Sequence, residues 1–127
     1  MESSMRVVLV GPCGAGKSTI AAELARRGID AVVVGQEHSI VRDLWRRPEP
    51  DLLVYLDASL ETVRARRGHD WPEWLYRLEQ ERLAEARAHA DLVIETGQLT
   101  VDEVVARILA VLTERASRKK SDEGPRA

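Results

Sequence analysis

Between Gly11 and Thr19 the chain reads Gly-Pro-Cys-Gly-Ala-Gly-Lys-Ser-Thr, and Gly11, Gly16, Lys17 and Ser18 stand at the spacing of a phosphate-binding P-loop. Each residue type has a physical task in that pattern. Glycines at 11, 14 and 16 tolerate positive φ and let successive N–H groups converge on one concavity that fits an anion. A helix starting near Lys17 adds the partial positive charge of its N-terminus, and Lys17 itself brings a mobile full charge to the β- and γ-phosphates of a nucleoside triphosphate. The Ser18 hydroxyl suits Mg²⁺. Pro12, Cys13 and Ala15 fill the variable positions of the cradle, and Thr19 belongs to the first helical turn. Cys13 is the one cysteine; it reads either as a tolerated filler or as a thiol whose pKa Lys17 and the helix start lower, open to oxidation. A lone cysteine forms no internal disulfide and fits a reducing compartment.

The elements that must hold this loop can be read on both sides of it. Arg6 to Val10 is an apolar, β-branched run and reads as a strand; Lys17 to Arg27 is an amphipathic helix closed by Gly28. Ala31 to Val34 forms a second strand. Ser39 to Arg47 places Ile40, Val41, Leu44 and Trp45 at helical spacing before Pro48 and Pro50, which predicts a short helix. Leu52 to Asp57 is a fully apolar run ending in an acid, as a buried parallel strand should be. Ser59 caps a helix over Leu60 to Arg67, and Gly68 to Pro72 breaks it. A long helix to about Ala90 carries Trp74, Leu75, Leu78, Leu83 and Ala86 on or near one face. Leu92 to Ile94 is a fourth strand. Thr100 and Glu103 make a capping box for a last helix striped by Val104, Val105, Ile108 and Leu112. From Ser117 the sequence is polar without periodicity and reads as a disordered tail, leaving residues 1–116 as the folded domain.

Strand and helix alternating with short crossovers predict an α/β chain: a three-layer α/β/α sandwich around about four parallel strands, with right-handed connections. Ligands then sit at the carboxyl ends of the strands. That rule gathers the P-loop, Gly35 to His38, Asp57 to Ser59 and Glu95 to Gln98 at one edge. Among their side chains, Asp57 resembles a Walker B aspartate holding Mg²⁺, and alternatively a helix cap or turn residue.

Composition narrows the partners. At 127 residues with a formal net charge of −2, the chain is one domain without the basic footprint of a nucleic-acid binder. No apolar run approaches the roughly 20 residues that span a bilayer, and the opening Met-Glu-Ser-Ser-Met lacks the apolar core of a signal peptide. The expectation is a soluble, cytoplasmic protein.

The P-loop, Val54 to Gly68 (VYLDASLETVRARRG) and Ala90 to Leu112 (ADLVIETGQLTVDEVVARILAVL) together resemble the small-molecule kinases of the P-loop NTPase superfamily, the adenylate kinase and nucleoside or nucleotide kinase group. The resemblance spans most of the chain in order. It implies the P-loop NTPase fold, ATP and Mg²⁺, and transfer of a γ-phosphoryl group to a small-molecule acceptor. In such kinases the helix after the Leu-Asp strand carries lid arginines that reach the transferring phosphate, and Arg64, Arg66 and Arg67 hold those positions. Helical spacing puts Arg64 and Arg67 on one face with Arg66 turned away. The resemblance also implies a carboxylate after the second strand that orients Mg²⁺ or takes the acceptor's proton. Glu37 stands there, with an exposed loop acid as the plainer alternative, and His38 beside it reads as a surface histidine or a proton shuttle. On this reading Lys17, Arg64, Arg67 and Glu37 are catalytic and Asp57 joins Ser18 at the metal.

One departure stands out. The helical region that usually binds the acceptor is reduced to Gln36 to Asp51, where Arg42, Arg46 and Arg47 are either a small anion site or a solvated face. The lid is short too, and Trp71 and Trp74 beside it either stack on a base or belong to the core. No Asn-Lys-x-Asp guanine-reading motif occurs, and Gly97-Gln98 resembles the loop that flanks adenine. A nucleotide-binding module or slow ATPase, completed by a partner, is therefore the alternative to the kinase.

Overall fold

The computed structural model describes residues 5–122. Four parallel strands, β1 (Arg6–Val10), β2 (Asp30–Val33), β3 (Leu52–Asp57) and β4 (Leu92–Glu95), form one sheet in the order β2-β1-β3-β4. Val8 pairs with Val32 on one side and Leu53 on the other, and Leu56 pairs with Ile94. The helices are α1 (Lys17–Arg26), α2 (Leu60–Arg67), α3 (Glu73–His89) and α4 (Val101–Asp122).

The strand alternation divides the core in two. Val7 and Leu9 of β1 and Leu52, Val54 and Leu56 of β3 face Ile20 and Leu24 of α1, Val63 of α2 and Val104, Val105 and Ile108 of α4. The opposite face, Val8, Val10, Leu53 and Tyr55, packs on Trp45 and on Leu83 and Ala86 of α3. The central strands are thus buried on both sides, which is why their sequences are continuously apolar. The expected three-layer sandwich is what forms.

Both helix caps read from sequence are present. The Ser59 Oγ accepts from Thr62 N at 3.1 Å. Glu103 N donates to Thr100 Oγ1 at 3.1 Å while Thr100 N donates to Glu103 Oε1 at 2.8 Å.

Two expectations are corrected. Ser39 to Arg47 is no helix: two single 3₁₀ turns, Gln36–His38 and Leu44–Arg46, are joined by a bend at Ile40 and a turn at Arg42 and Asp43. The cause is Gln36, fully buried, whose side-chain amide donates to Val41 O at 2.5 Å and accepts from Trp45 N at 3.0 Å, so it takes backbone groups that a helix would pair internally. Of the apolar residues there only Trp45 is buried, and Ile40 is 80% exposed. The second correction concerns the tail. α4 continues through Ser117 to Asp122, because nothing stops a helix before Gly124 and Pro125. The remainder of the expected tail lies outside the described residues. Among those residues no helix is long and apolar enough to cross a membrane.

Candidate phosphate-binding site

The loop leaves β1 through Gly11, whose φ is +153°. A Cβ there would lie 2.1 Å from Leu56 O, so the loop can cross the end of β3 only with glycine at that position. Gly16 caps α1 in the left-handed conformation at φ +94°, and no side chain caps the helix. The α1 amides therefore open onto a cavity of about 360 Å³. Ser18 and Thr19, both exposed, line it from α1; Glu37 and His38 line it from the turn after β2; Arg66 and Arg67 line it from α2.

Lys17 is buried and fully engaged. Its Nζ donates to Glu37 Oε2 at 2.9 Å, to Pro12 O at 3.1 Å and to Gly11 O. Glu37 is only 4% exposed. Its Oε2 also lies 3.5 Å from His38 Nε2, and its Oε1 has no hydrogen-bond partner. The exposed-loop alternative for Glu37 is thereby overturned. Burying a carboxylate costs free energy unless a cation accompanies it, and Lys17 is that cation.

The arginines are distributed differently from the expectation. Arg66 is the one that clamps the loop: it donates to Gly14 O at 2.7 Å, to Thr96 Oγ1 at 3.2 Å and to Thr96 O at 3.0 Å. Arg67 lies beside it along the cavity. Arg64 points elsewhere, its Nε donating to Trp71 O at 3.0 Å. The reason is Val63, the one fully buried residue of α2. Residues three and four positions on share its face, so Val63 aims Arg66 and Arg67 at the loop and leaves Arg64 to the side.

Asp57 is likewise placed apart. Its Oδ1 accepts from Ala58 N at 2.9 Å and its Oδ2 pairs with Arg87 at 3.3 Å. It lines a separate cavity with Tyr76, Gln80 and Arg87 and not the P-loop cavity, which matches the turn-residue alternative rather than the Walker B one. None of Arg42, Arg46 and Arg47 lines the P-loop cavity; Arg46 lies over the Trp45 ring at 4.7 Å. Trp71 packs on the core and Trp74 is 67% exposed.

Cys13 is half-buried. Burial, followed by the nearby Glu79 and Glu37 carboxylates, pushes its thiol up to about 11 against the smaller pull of Lys17. The lowered pKa considered above is thus reversed, because a thiolate would face two carboxylates.

Glu79 was not singled out in the sequence. It is 1% exposed on α3, its Oε1 accepts from Cys13 N at 3.0 Å, and its Oε2 has no partner. The signal was present, since Leu75, Glu79, Leu83 and Ala86 follow helical spacing and an acid in an apolar stripe needs a partner. Thr96, placed at the ligand edge only as part of Glu95 to Gln98, is buried just after β4, and its Oγ1 donates to Ala15 O at 3.0 Å, tying β4 to the loop. Beside the phosphate cavity lies a groove of about 260 Å³ lined by Thr19, Ile20, Arg66, Leu99, Val101 and Val104.

A parallel sheet with a P-loop on its first strand and arginines facing that loop is the architecture of the P-loop kinases, and this chain has that fold. Shikimate kinase from Acinetobacter baumannii in complex with shikimate superposes with a TM-score of 0.59 at 18% identity, over 90% of this chain and 96% of that one. Shikimate kinase from Aquifex aeolicus gives 0.61 at 19% identity, over 88% and 98%. The YorR protein from Bacillus subtilis, in complex with phosphorylated GDP, gives 0.62 at 16% identity, also over 88% and 98%. At these identities the likeness is one of fold. No protein-family model and no curated protein matches the sequence.

Proposed function

We propose that this chain is an ATP- and Mg²⁺-dependent phosphotransferase that moves a γ-phosphoryl group to a small, nucleoside- or nucleotide-like acceptor. One observation carries the reading: Lys17, Arg66, Arg67 and a buried carboxylate, Glu37, surround a single cavity at the P-loop. Charge in phosphoryl transfer spreads over nonbridging oxygens, which loop amides, an ammonium and planar guanidinium groups stabilise together. The residues also fit Mg²⁺. Ser18 presents a hydroxyl to the cavity, and Glu37 brings a buried oxygen with no partner. When bound, Mg²⁺ neutralises charge on the β- and γ-phosphate oxygens.

The roles then divide as follows. The loop amides and Lys17 hold the phosphates, Ser18 and Glu37 hold the cation and its waters, and Arg66 with Arg67 meets the transferring group. On this reading Glu37 also accepts the acceptor's proton. The neighbouring groove, apolar along Ile20, Leu99, Val101 and Val104, suits a base. A second reading, a nucleotide-binding module or slow ATPase, draws support from the acceptor side: two 3₁₀ turns stand where a helical acceptor region is expected of such kinases.

The test is ADP release from Mg²⁺-ATP, alone and with pooled nucleosides, nucleoside monophosphates, sugars and small acids, with Lys17→Ala as the blank. Acceptor-dependent ADP is the expected result and names the substrate class. Slow release indifferent to every pool, with ATP still bound, replaces the kinase by the second reading.

A further inference from the structure

The mouth of the phosphate cavity carries a second set of donors, in which Glu37 is joined by two residues that phosphoryl transfer does not use, Cys13 and His38. Cys13 Sγ, His38 Nε2 and a Glu37 carboxylate oxygen all lie within 4.8 Å of one another. The sulfur is 3.6 Å from His38 Nε2, and that nitrogen is 3.5 Å from Glu37 Oε2. A tetrahedral ion holding sulfur at about 2.3 Å and nitrogen or oxygen at about 2.0–2.1 Å sets its S and N ligands roughly 3.6 Å apart and its N and O ligands roughly 3.4 Å apart. The sulfur–nitrogen and nitrogen–oxygen pairs already stand at those separations, the oxygen being the Oε2 that also accepts from Lys17. An independent observation points the same way: Glu37 lines the cavity, is 4% exposed, and has an Oε1 that no donor satisfies. A buried anion with a free oxygen attracts a cation.

We propose that the nucleotide-free protein binds one Zn²⁺ through Cys13, His38 and Glu37, and that the bound ion excludes nucleotide from the P-loop. The donor set decides the metal, because thiolate with imidazole and one carboxylate selects zinc over the oxygen-seeking Mg²⁺ and Ca²⁺. The sulfur–zinc bond forms as the thiol gives its proton to solvent, and no electron moves. Three protein donors leave a fourth position open to water. Exclusion follows from placement: all three ligands line the cavity that Lys17, Ser18 and Arg66 also line, and one of them is the carboxylate that pairs with Lys17. This second clause rests on the nucleotide reading of the site, whereas the metal site stands without it.

Co²⁺ titrated into the full, metal-free chain without nucleotide is the first probe. The expected result is one equivalent bound, with the near-ultraviolet thiolate-to-cobalt band and the visible bands of a tetrahedral ion, all displaced by Zn²⁺. Because the chain has one cysteine, a thiolate band identifies Cys13. His38→Ala, at a side chain 64% exposed and so harmless to folding, should weaken Co²⁺ binding about tenfold or more, and Cys13→Ser should remove the thiolate band. No thiolate band, or an unchanged affinity in His38→Ala, overturns the site. Next, ATP affinity is measured by calorimetry with and without buffered free Zn²⁺. A zinc-induced weakening of at least about tenfold in the parent, shrinking in His38→Ala, is expected for competition. Zinc that binds without moving ATP affinity overturns exclusion. A chain that binds cobalt as described but no nucleotide sinks the proposed function and leaves the metal site standing.

Discussion

Lys17 and Glu37 depend on each other, their side chains 9% and 5% exposed. Removing one member of such a pair leaves an uncompensated buried charge, a loss of about 3–5 kcal/mol. Lys17→Ala is therefore expected to abolish tight ATP binding and also to lower the melting temperature. Adding Glu37→Gln should restore most of the stability and none of the binding, and calorimetry with thermal melts separates the two effects. The arginines make a sharper contrast. Arg66→Ala should cut turnover by roughly 100-fold or more while Arg64→Ala leaves kcat nearly intact, as steady-state kinetics would show. Equal losses would return Arg64 to the reacting phosphate. Cys13 gives a pH signature. Its thiol is raised to about 11 in the fold, above the roughly 8.5 of an unfolded thiol, so its contribution is complete below that lower value and is lost as pH rises through the higher one. Thermal melts between those limits should decline less steeply in Cys13→Ser. At this scale the motif residues were legible because a phosphate cradle demands fixed types at fixed spacing. The contacts of Glu79 and Thr96 were not, since their partners, Cys13 N and Ala15 O, are backbone groups distant in sequence.

Among the elements, the crossing of the P-loop over β3 tolerates least change. Gly11→Ala would drive its Cβ against Leu56 O at 2.1 Å in a backbone conformation that L side chains rarely adopt, so the variant is expected to fold poorly or not at all, read by circular dichroism and yield. The strands and the capped helices were legible because their periodicity and caps agree with their environment. Two elements were not. For α2 the spacing of the arginines paired Arg64 with Arg67 and turned Arg66 away; Val63 sets the orientation instead, and its burial depends on the β3 and α4 faces it meets. For residues 36–51 the helical spacing of Ile40, Val41, Leu44 and Trp45 was outweighed by one buried amide, Gln36, holding Val41 and Trp45. Pattern alone does not show when a side chain replaces the helical ladder.

Over the whole molecule the layer order followed from alternation, whereas the placement of β1 and β3 in the middle of the sheet became clear only with the register. α4 fastens the far edge. Its core contacts run from Val104 to Leu112, and Arg115 donates to Asp51 O at 2.6 Å and pairs with Asp91 at 2.7 Å, joining the starts of β3 and β4. Ending the chain after Ala116 should leave the melting temperature nearly unchanged, while ending it after Ala110 should lower it by several degrees as Val111, Leu112 and Arg115 are lost. Two of the three cations at the loop already hold protein oxygens: Lys17 those of Gly11, Pro12 and Glu37, and Arg66 those of Gly14 and Thr96. A lone inorganic anion would have to break several of these contacts to make a few of its own. On the proposed reading, a chain of linked phosphates reaching from the amides through Lys17 to Arg66 offers new partners to both side chains at once, so the cradle would favour a longer polyphosphate over a single anion.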